Sequence, residues 1–343
     1  MTSTDKTAAP TARRSQGQIV VARGLWYVKP GVAELRTERL NAPRPGEARV
    51  ATQFSAISRG TERLVANGEV PESEWTTMRA PLQAGDFPYP VKYGYSATGV
   101  VIAGCDALIG RNVFCLHPHQ DFFQVAEDWL TVVPDGIPSR RATLAANMET
   151  ALNAHWDAGT AIGDRVLVVG AGIVGLLVAH LAQRIAGANV TITDIDAGRA
   201  ALAEALGLKF ATLNAAPKSN RIIFHTSATG AGLDTSIDAA AFEGRIVELS
   251  WYGARAQTIH LGGAFHRNRL QIISSQVGHV ANSQRALVTH KTRLAKALSL
   301  LDDPRLDALV AHDTAFDDVP DRLLQIFSNA SSGPCPIISY AKD

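Results

Sequence analysis

The run from Arg165 to Ala182 constrains this chain more than any other stretch. A short apolar strand, Arg165–Val169, meets three glycines, Gly170, Gly172 and Gly175, and then an apolar helical segment. A second strand, Asn189–Thr193, follows and ends at Asp194. Each part has a mechanical reading. Gly170 permits a tight turn, Gly172 lets backbone approach a pyrophosphate, and Gly175 lets helix and strand pack closely. The turn residues Ala171, Ile173 and Val174 complete the cradle, because a helix N-terminus offers free N–H groups and a partial positive charge to phosphates. Asp194 stands where a carboxylate binds the ribose hydroxyls of a dinucleotide. A glycine turn inside some other α/β unit would leave Asp194 unexplained. The pattern therefore predicts a dinucleotide site. It favours NAD(H) over NADP(H), since Asp194 repels a 2′-phosphate. Arg199 could cover the adenine or ribose edge, could accommodate a phosphate after all, or could be a surface charge.

With 343 residues, the chain is long enough for two domains with sizeable cores. A formal net charge of +1 without a long basic run argues against nucleic acid as a partner. No apolar stretch reaches about 18 residues without polar interruption, so no membrane span is expected. Residues 1–17 are polar and read as a disordered leader rather than an export signal. Cys105, Cys115 and Cys335 form no C-x-x-C pair. That gives no support to a disulfide framework or a cysteine-rich zinc lobe, and a reducing cytoplasm is the expected setting.

From about Gln18 to Val133 the pattern reads as β structure. Apolar or alternating runs at Gln18–Ala22, Ala48–Phe54, Ala97–Ala103, Arg111–Leu116 and Asp121–Val125 are punctuated by Pro30-Gly31, Pro43 to Gly46, Gly104 and Pro134 to Gly136. A partly closed barrel is expected. A polar insert, Asn67 to Pro90, is long enough to be a functional flap. A helix is expected over Arg141–Trp156. Strands and helices then alternate: Arg165–Val169, a helix to about Ile185, Asn189–Thr193, a helix Gly198–Ala205, Arg221–His225, a helix near Leu233–Phe242, Arg245–Ser250 and Leu270–Ser274. Alternation of this kind implies a doubly wound parallel sheet. A helix Lys291–Leu301 and a strand Pro336–Tyr340 could return to the first domain. The expected division is 18–150 for the barrel, 151–276 for the dinucleotide domain and 277–343 for the return.

This order resembles the medium-chain dehydrogenase/reductase superfamily. Three motifs carry the resemblance: Pro43 to Val50 is similar to its P-x-x-G-E-V-x-V opening, Tyr93 to Val100 to its P-G-H-E-x-x-G-x-V segment, and the glycine triplet with Asp194 to its cofactor unit. The resemblance implies a GroES-like barrel joined to a Rossmann domain, and NAD as cofactor. Ile57 to Leu64, with the Gly94-Tyr-Ser segment, is similar to bacteriochlorophyllide a dehydrogenase-like members, which oxidise a side-chain hydroxyl of a tetrapyrrole. Zinc-dependent members bind metal through a Cys, a His, often a Glu, and a later Cys or Glu. The corresponding positions here hold Ser58, Tyr95, Ser96 and Ala146. Those four do not make a zinc site, which wants about three N, S or O ligands. Glu149, His117 and His119 are the alternative ligand set, against which a lone loop histidine is more often a satisfied polar residue.

Without zinc, another group must manage the proton that accompanies hydride transfer. Tyr95 could donate to a developing oxyanion or merely pack in the barrel. Ser58 could bond the substrate oxygen or fill the former ligand space. His117 and His119 could act as a proton relay from a surface loop. Glu62 and Arg63 read as a solvated pair of adjacent charges. Arg59 could touch the pyrophosphate, and Thr150 the nicotinamide end. Thr226, Ser227 and Ser250 follow strands at the carboxyl edge, where ligands bind in such sheets.

The expectation is a zinc-independent, NAD(H)-dependent oxidoreductase that interconverts a secondary alcohol and a ketone of a small or mid-sized organic molecule. The alternatives are a zinc-free enone or quinone reductase and a non-catalytic cofactor-binding protein. A homodimer joined along the edge strand within Thr258–Ser274 is also expected.

Overall fold

A computed structural model describes residues 19–328 and 333–340. The expected leader therefore lies outside the described residues. The first domain opens with a hairpin, β1 (Val20–Lys29) and β2 (Val32–Leu40), whose turn uses Gly31 at φ +69°. β3 (Glu47–Ala56) leads into α1 (Arg59–Ala66), a helix the sequence reading missed. Next come β4 (Ala84–Gly85), β5 (Val91–Lys92), β6 (Ala97–Ala103), β7 (Asn112–Cys115), β8 (Phe122–Ala126) and β9 (Thr131–Val132). The expected helix over Arg141–Trp156 is two helices, α2 (Ser139–Ala142) and α3 (Ala145–Ala158), broken at Thr143–Leu144.

The dinucleotide domain runs β10 (Arg165–Val169), α4 (Ile173–Ala182), β11 (Asn189–Asp194), α5 (Ala200–Ala205), β12 (Lys209–Thr212), β13 (Asn220–His225), α6 (Gly230–Ala239), β14 (Ala240–Glu248) and β15 (Gln271–Ser274). The return comprises α7 (His290–Ser299), β16 (Asp313–Ala315), α8 (Val319–Phe327) and β17 (Ile337–Ser339).

Among the described residues, one sheet has the order β12-β11-β10-β13-β14-β15 with every pairing parallel. This is the doubly wound arrangement, with its crevice where the order reverses around β10. A central parallel strand is covered on both faces, and Val166, Leu167, Val168 and Val169 are all buried. The helix expected to end at Phe242 stops at Ala239. Ala240 already pairs with Asn220, a bulge with Glu243 at φ +56° follows, and pairing resumes at Arg245.

The barrel consists of a sheet ordered β2-β1-β5-β4 and another ordered β16-β17-β3-β6-β7-β9, with β8 also on β3. β17 lies antiparallel on β3, so the end of the chain does return to the first domain. The Asn67–Pro90 insert is tied to α1 through Tyr89 Oη, which donates to Ala66 O at 2.9 Å, and is braced internally by Trp75 Nε1, which donates to Val70 O at 3.0 Å. Its first residues meet the loop after β14, where a Cβ on Gly253 would lie 3.4 Å from Glu69 O.

Candidate active site

The crevice is built around the glycine turn. Gly170 adopts φ +110°, and a Cβ there would lie 2.8 Å from the Ser227 amide nitrogen. A Cβ on Gly175 would lie 1.9 Å from the Gly170 carbonyl oxygen, which no rotamer change relieves. Gly172 is exposed and has open space where its Cβ would be. The three glycines thus serve turn, helix contact and open approach, the division that a bound pyrophosphate requires. Ala171 and Ile173 are buried beneath the turn and Val174 is half-buried, leaving the first-turn amides of α4 at the open face.

Asp194 closes the far side of that turn. Its Oδ2 accepts the Ala171 amide at 2.7 Å and its Oδ1 the Asp196 amide at 2.9 Å. Each oxygen keeps lone-pair capacity for a ribose hydroxyl. Arg199 pairs with Asp196 at 3.4 Å. It also lies close enough to Arg59 to lower the pKa of that guanidinium, after burial itself. Arg59 donates to Gly333 O and stands beside Ser58 at the head of α1. The barrel therefore brings a cation to the rim of the dinucleotide domain, next to its own candidate catalytic residues.

The remaining cofactor candidates are engaged in bracing. Thr226 Oγ1 donates to Gly170 O at 2.9 Å and contacts Val169 O at 3.1 Å, which stiffens the turn from behind. Ser227 Oγ is 2.7 Å from His225 Nε2, and His225 Nδ1 is 2.7 Å from Glu248 Oε2. Burial pushes the Glu248 carboxyl up. The His225 contact and the Ser250 amide outweigh it and hold the group below the usual carboxylate range. Ser250 Oγ accepts the Ala228 amide at 3.0 Å. Thr150 Oγ1 donates to Ala146 O at 3.1 Å, inside its own helix.

On the barrel side the structure brings Ser58, Tyr95 and Thr61 together, with both hydroxyls near enough to the Tyr95 phenol to lower its pKa slightly. Tyr95 is half-buried; burial, and then the nearby Glu62 carboxyl, push its phenol up to about 12. It is a donor at neutral pH. Ser96, at another former ligand position, donates to Thr143 O, and Ala146 offers no donor atom. Cys335 is buried close to Tyr95, Glu62 and Arg59, and burial pushes its thiol up to about 12. Among the described residues there is no group of three His, Cys, Asp or Glu that could hold a metal ion.

Three expectations need correction. Glu62 is not in a solvated pair with Arg63. It is fully buried, accepts the Ser58 amide at 2.7 Å and lies 2.8 Å from His119 Nε2. His117 does not lie on an accessible loop. Its ring stacks on Phe123 with centroids 4.1 Å apart, and burial pushes its pKa down to about 3, so it stays neutral and cannot relay protons near pH 7. His119 is fully buried between Ser55 and Glu62 and opens on no cleft. Nor do Glu149, His117 and His119 converge as ligands, because Glu149 pairs with Arg293 at 2.9 Å.

Glu62, Cys335 and the His225–Glu248 pair were missed. A partial signal for Glu62 existed: an acid four residues after Ser58, one place beyond the capping-box spacing, precedes the apolar Leu64-Val65-Ala66. For the other residues the partners are distant in sequence, and no local pattern marks them.

No family model matches the chain. It is 25% identical over 211 residues to the L-threonine 3-dehydrogenase of Chelativorans, a match covering 54% of this chain and 61% of that protein. Against the D-guloside 3-dehydrogenase of Escherichia coli it is 25% identical over 279 residues, 72% of this chain and 79% of that protein. So the chain matches less than two thirds of the threonine dehydrogenase and most of the guloside dehydrogenase. Among solved structures, L-idonate 5-dehydrogenase of Escherichia coli superposes with a TM-score of 0.77 at 13% identity, over 95% of this chain and all of the other. A dehydrogenase of Sinorhizobium meliloti described as zinc-binding, in complex with NADP, superposes with a TM-score of 0.73 at 16% identity, over 93% of this chain and 99% of the other. With the open glycine turn above Asp194 and the barrel completed by the chain's return, the chain shares the fold of these solved dehydrogenases and is similar in sequence to the threonine and guloside dehydrogenases.

Proposed function

We propose that this protein is an NAD(H)-preferring, metal-independent oxidoreductase that interconverts a secondary alcohol and a ketone. The observation that carries this reading is the replacement of a ligand set by a hydroxyl pair. Ser58 and Tyr95 lie near each other at the head of α1, beside Arg59 and the dinucleotide crevice. The crevice residues fit a dinucleotide: Gly170 to Gly175 would take the pyrophosphate, Asp194 the adenosine ribose, and Arg59 and Arg199 the negative charge. A nicotinamide supplies the hydride when bound.

The chain's own residues handle the oxygen. Tyr95 donates to a carbonyl oxygen as it gains charge, and it retains a proton to give because its pKa lies far above neutrality. Ser58 shares that hydrogen bond and orients the phenol. Two serine hydroxyls, a phenol and the donor-free Ala146 make a poor zinc ligand set beside the Cys, His and carboxylate groups that such sites use. This supports chemistry by hydrogen bonding rather than by a Lewis acid.

The test is NADH titration followed by a panel of ketones, enones and quinones, on tag-free protein assayed for metal. The expected result is ketone reduction that survives chelation, with Tyr95→Phe lowering kcat by ~10²-fold while NADH affinity holds. One tightly held zinc per chain with activity lost on chelation would overturn the reading. Turnover of enones alone would move the function to conjugated reduction.

A further inference from the structure

We propose that Glu62, with His119 behind it, is the positioning residue of this catalytic centre: it fixes the head of α1 so that the Ser58 and Tyr95 hydroxyls meet at one substrate oxygen. The inference rests on the reading above that those two hydroxyls face the substrate.

Glu62 lies in the first turn of α1 and points into the barrel, fully buried. Its Oε1 accepts the backbone amide of Ser58 at 2.7 Å. Its Oε2 accepts Tyr27 Oη at 3.3 Å and lies 2.8 Å from His119 Nε2. His119 Nδ1 is 2.7 Å from Ser55 Oγ, which is 2.9 Å from Tyr340 Oη. Gly94, next to Tyr95, can pass over this chain only because it lacks a side chain; a Cβ there would lie 2.9 Å from His119 Nε2. Residues from β1, β3, α1, the loop after β7 and the C-terminal end are thus joined in one hydrogen-bonded network that runs to this carboxyl group, under Ser58.

A buried polar cluster of this kind is a poor source of stability, because apolar residues of similar volume would serve a purely mechanical tie as well or better. Two things need the carboxyl itself. An apolar side chain cannot accept the Ser58 amide, so the residue that carries the candidate hydroxyl would lose its anchor. The carboxyl also acts through space on Tyr95. The groups facing Tyr95 are Glu62, Tyr93, Cys335, Ser58 and Thr61; after burial, Glu62 contributes most to keeping the phenol protonated. Tyr27, Tyr93, Tyr340 and Cys335 feel the same carboxyl. Glu62 reaches no solvent and touches no substrate, so its effect passes entirely through Ser58 and Tyr95.

The test uses the full chain with Glu62→Gln, which keeps the shape, and Glu62→Asp, which keeps the acid but shortens its reach. Both are expected to bind NADH as the parent does. Glu62→Asp should lower kcat for a reduced ketone by roughly 10²-fold with KM little changed, the scale of a misplacement of about 1 Å. Glu62→Gln should raise tyrosinate absorbance at high pH. Part of that rise should vanish in the Glu62→Gln/Tyr95→Phe double variant, while Glu62→Asp gives no rise. A Glu62→Asp protein with parental kcat overturns the proposal. So does a Glu62→Gln tyrosinate rise that is identical with and without Tyr95, or a fall in melting temperature with unchanged kcat per NADH-binding molecule. If Glu62→Gln does not fold, the Glu62→Asp kinetics decide. A parent that binds NADH but turns over no ketone sinks the functional reading alone, and the tyrosinate comparison then decides whether Glu62 governs Tyr95.

Discussion

Asp194 Oδ2 accepts the Ala171 amide at 2.7 Å, so the carboxylate proposed to select the cofactor also braces the turn that receives its pyrophosphate. The two duties can be separated. Asp194→Asn keeps an oxygen for Ala171 and removes the charge; Asp194→Ala removes both. We expect the parent to bind NADH more tightly than NADPH, and Asn to narrow the ratio by roughly tenfold, the worth of ~1.4 kcal/mol. Ala should weaken both cofactors. Fluorescence titration at fixed salt reads all of this, and an unchanged ratio in Asn would show that Asp194 does not meet the ribose edge.

The glycine turn offers a contrast within six residues. Gly175→Ala drives a Cβ onto the Gly170 carbonyl, whereas Gly172→Ala enters open space. The first should lower thermal stability on the overpacking scale of about 1–3 kcal/mol. The second should leave the melting temperature within a degree or so and weaken NADH, because a methyl group then stands where phosphate must approach. Equal melting temperatures for the two variants would contradict this geometry.

Buried histidines make stability depend on acid. Burial pushes His117 down to about 3, and His155 and His180 to about 4, against an ordinary 6.5. The unfolded chain takes up these protons below about 6.5 and the folded protein does not, so stability is complete above that pH and falls as pH drops toward 4. Melting temperature measured from pH 7 to pH 4.5 should decline, and His117→Asn should flatten the decline by about one proton's share. A slope identical to the parent's would show that His117 is protonated in the fold.

Much of this was legible where the physics is local. The strand Arg165–Val169, the division of labour among Gly170, Gly172 and Gly175, and the position of Asp194 rest on contacts within thirty residues, and pattern encodes them directly. The barrel strand Ala97–Ala103 was found to the residue. Long-range polar contacts were not legible. Glu62 and His119 are 57 positions apart, and Arg293 and Glu149 144 apart; in the sequence Glu62 reads as half of a solvated pair, His119 as a loop histidine and Glu149 as a possible ligand, and no local pattern marks Arg293. β2 and β12 were overlooked because their polar, half-exposed residues carry little hydrophobic period.

β15 ends the parallel sheet, with Ile272 and Ile273 half-buried beside a free edge. A homodimer pairing this strand with its copy would cover it. Sedimentation velocity should give a dimer, and Ile272→Lys should shift it toward monomer. A parent that stays monomeric at every concentration would remove the dimer proposal.

The strand that completes the barrel comes from the far end of the chain. β17 is seated on β3, and Tyr340 reaches Ser55 from 285 positions away. During synthesis β3 can pair with β6 and β8 once those strands have emerged, whereas its last residues, Phe54 to Ala56, must wait for β17. The hydroxyl site, begun first, is thus finished last, because Ser55 gains its β17 neighbour and Tyr340 only when the far end of the chain arrives. A protease cut near the C-terminus would therefore register at Ser55 and His119, inside the oldest part of the molecule.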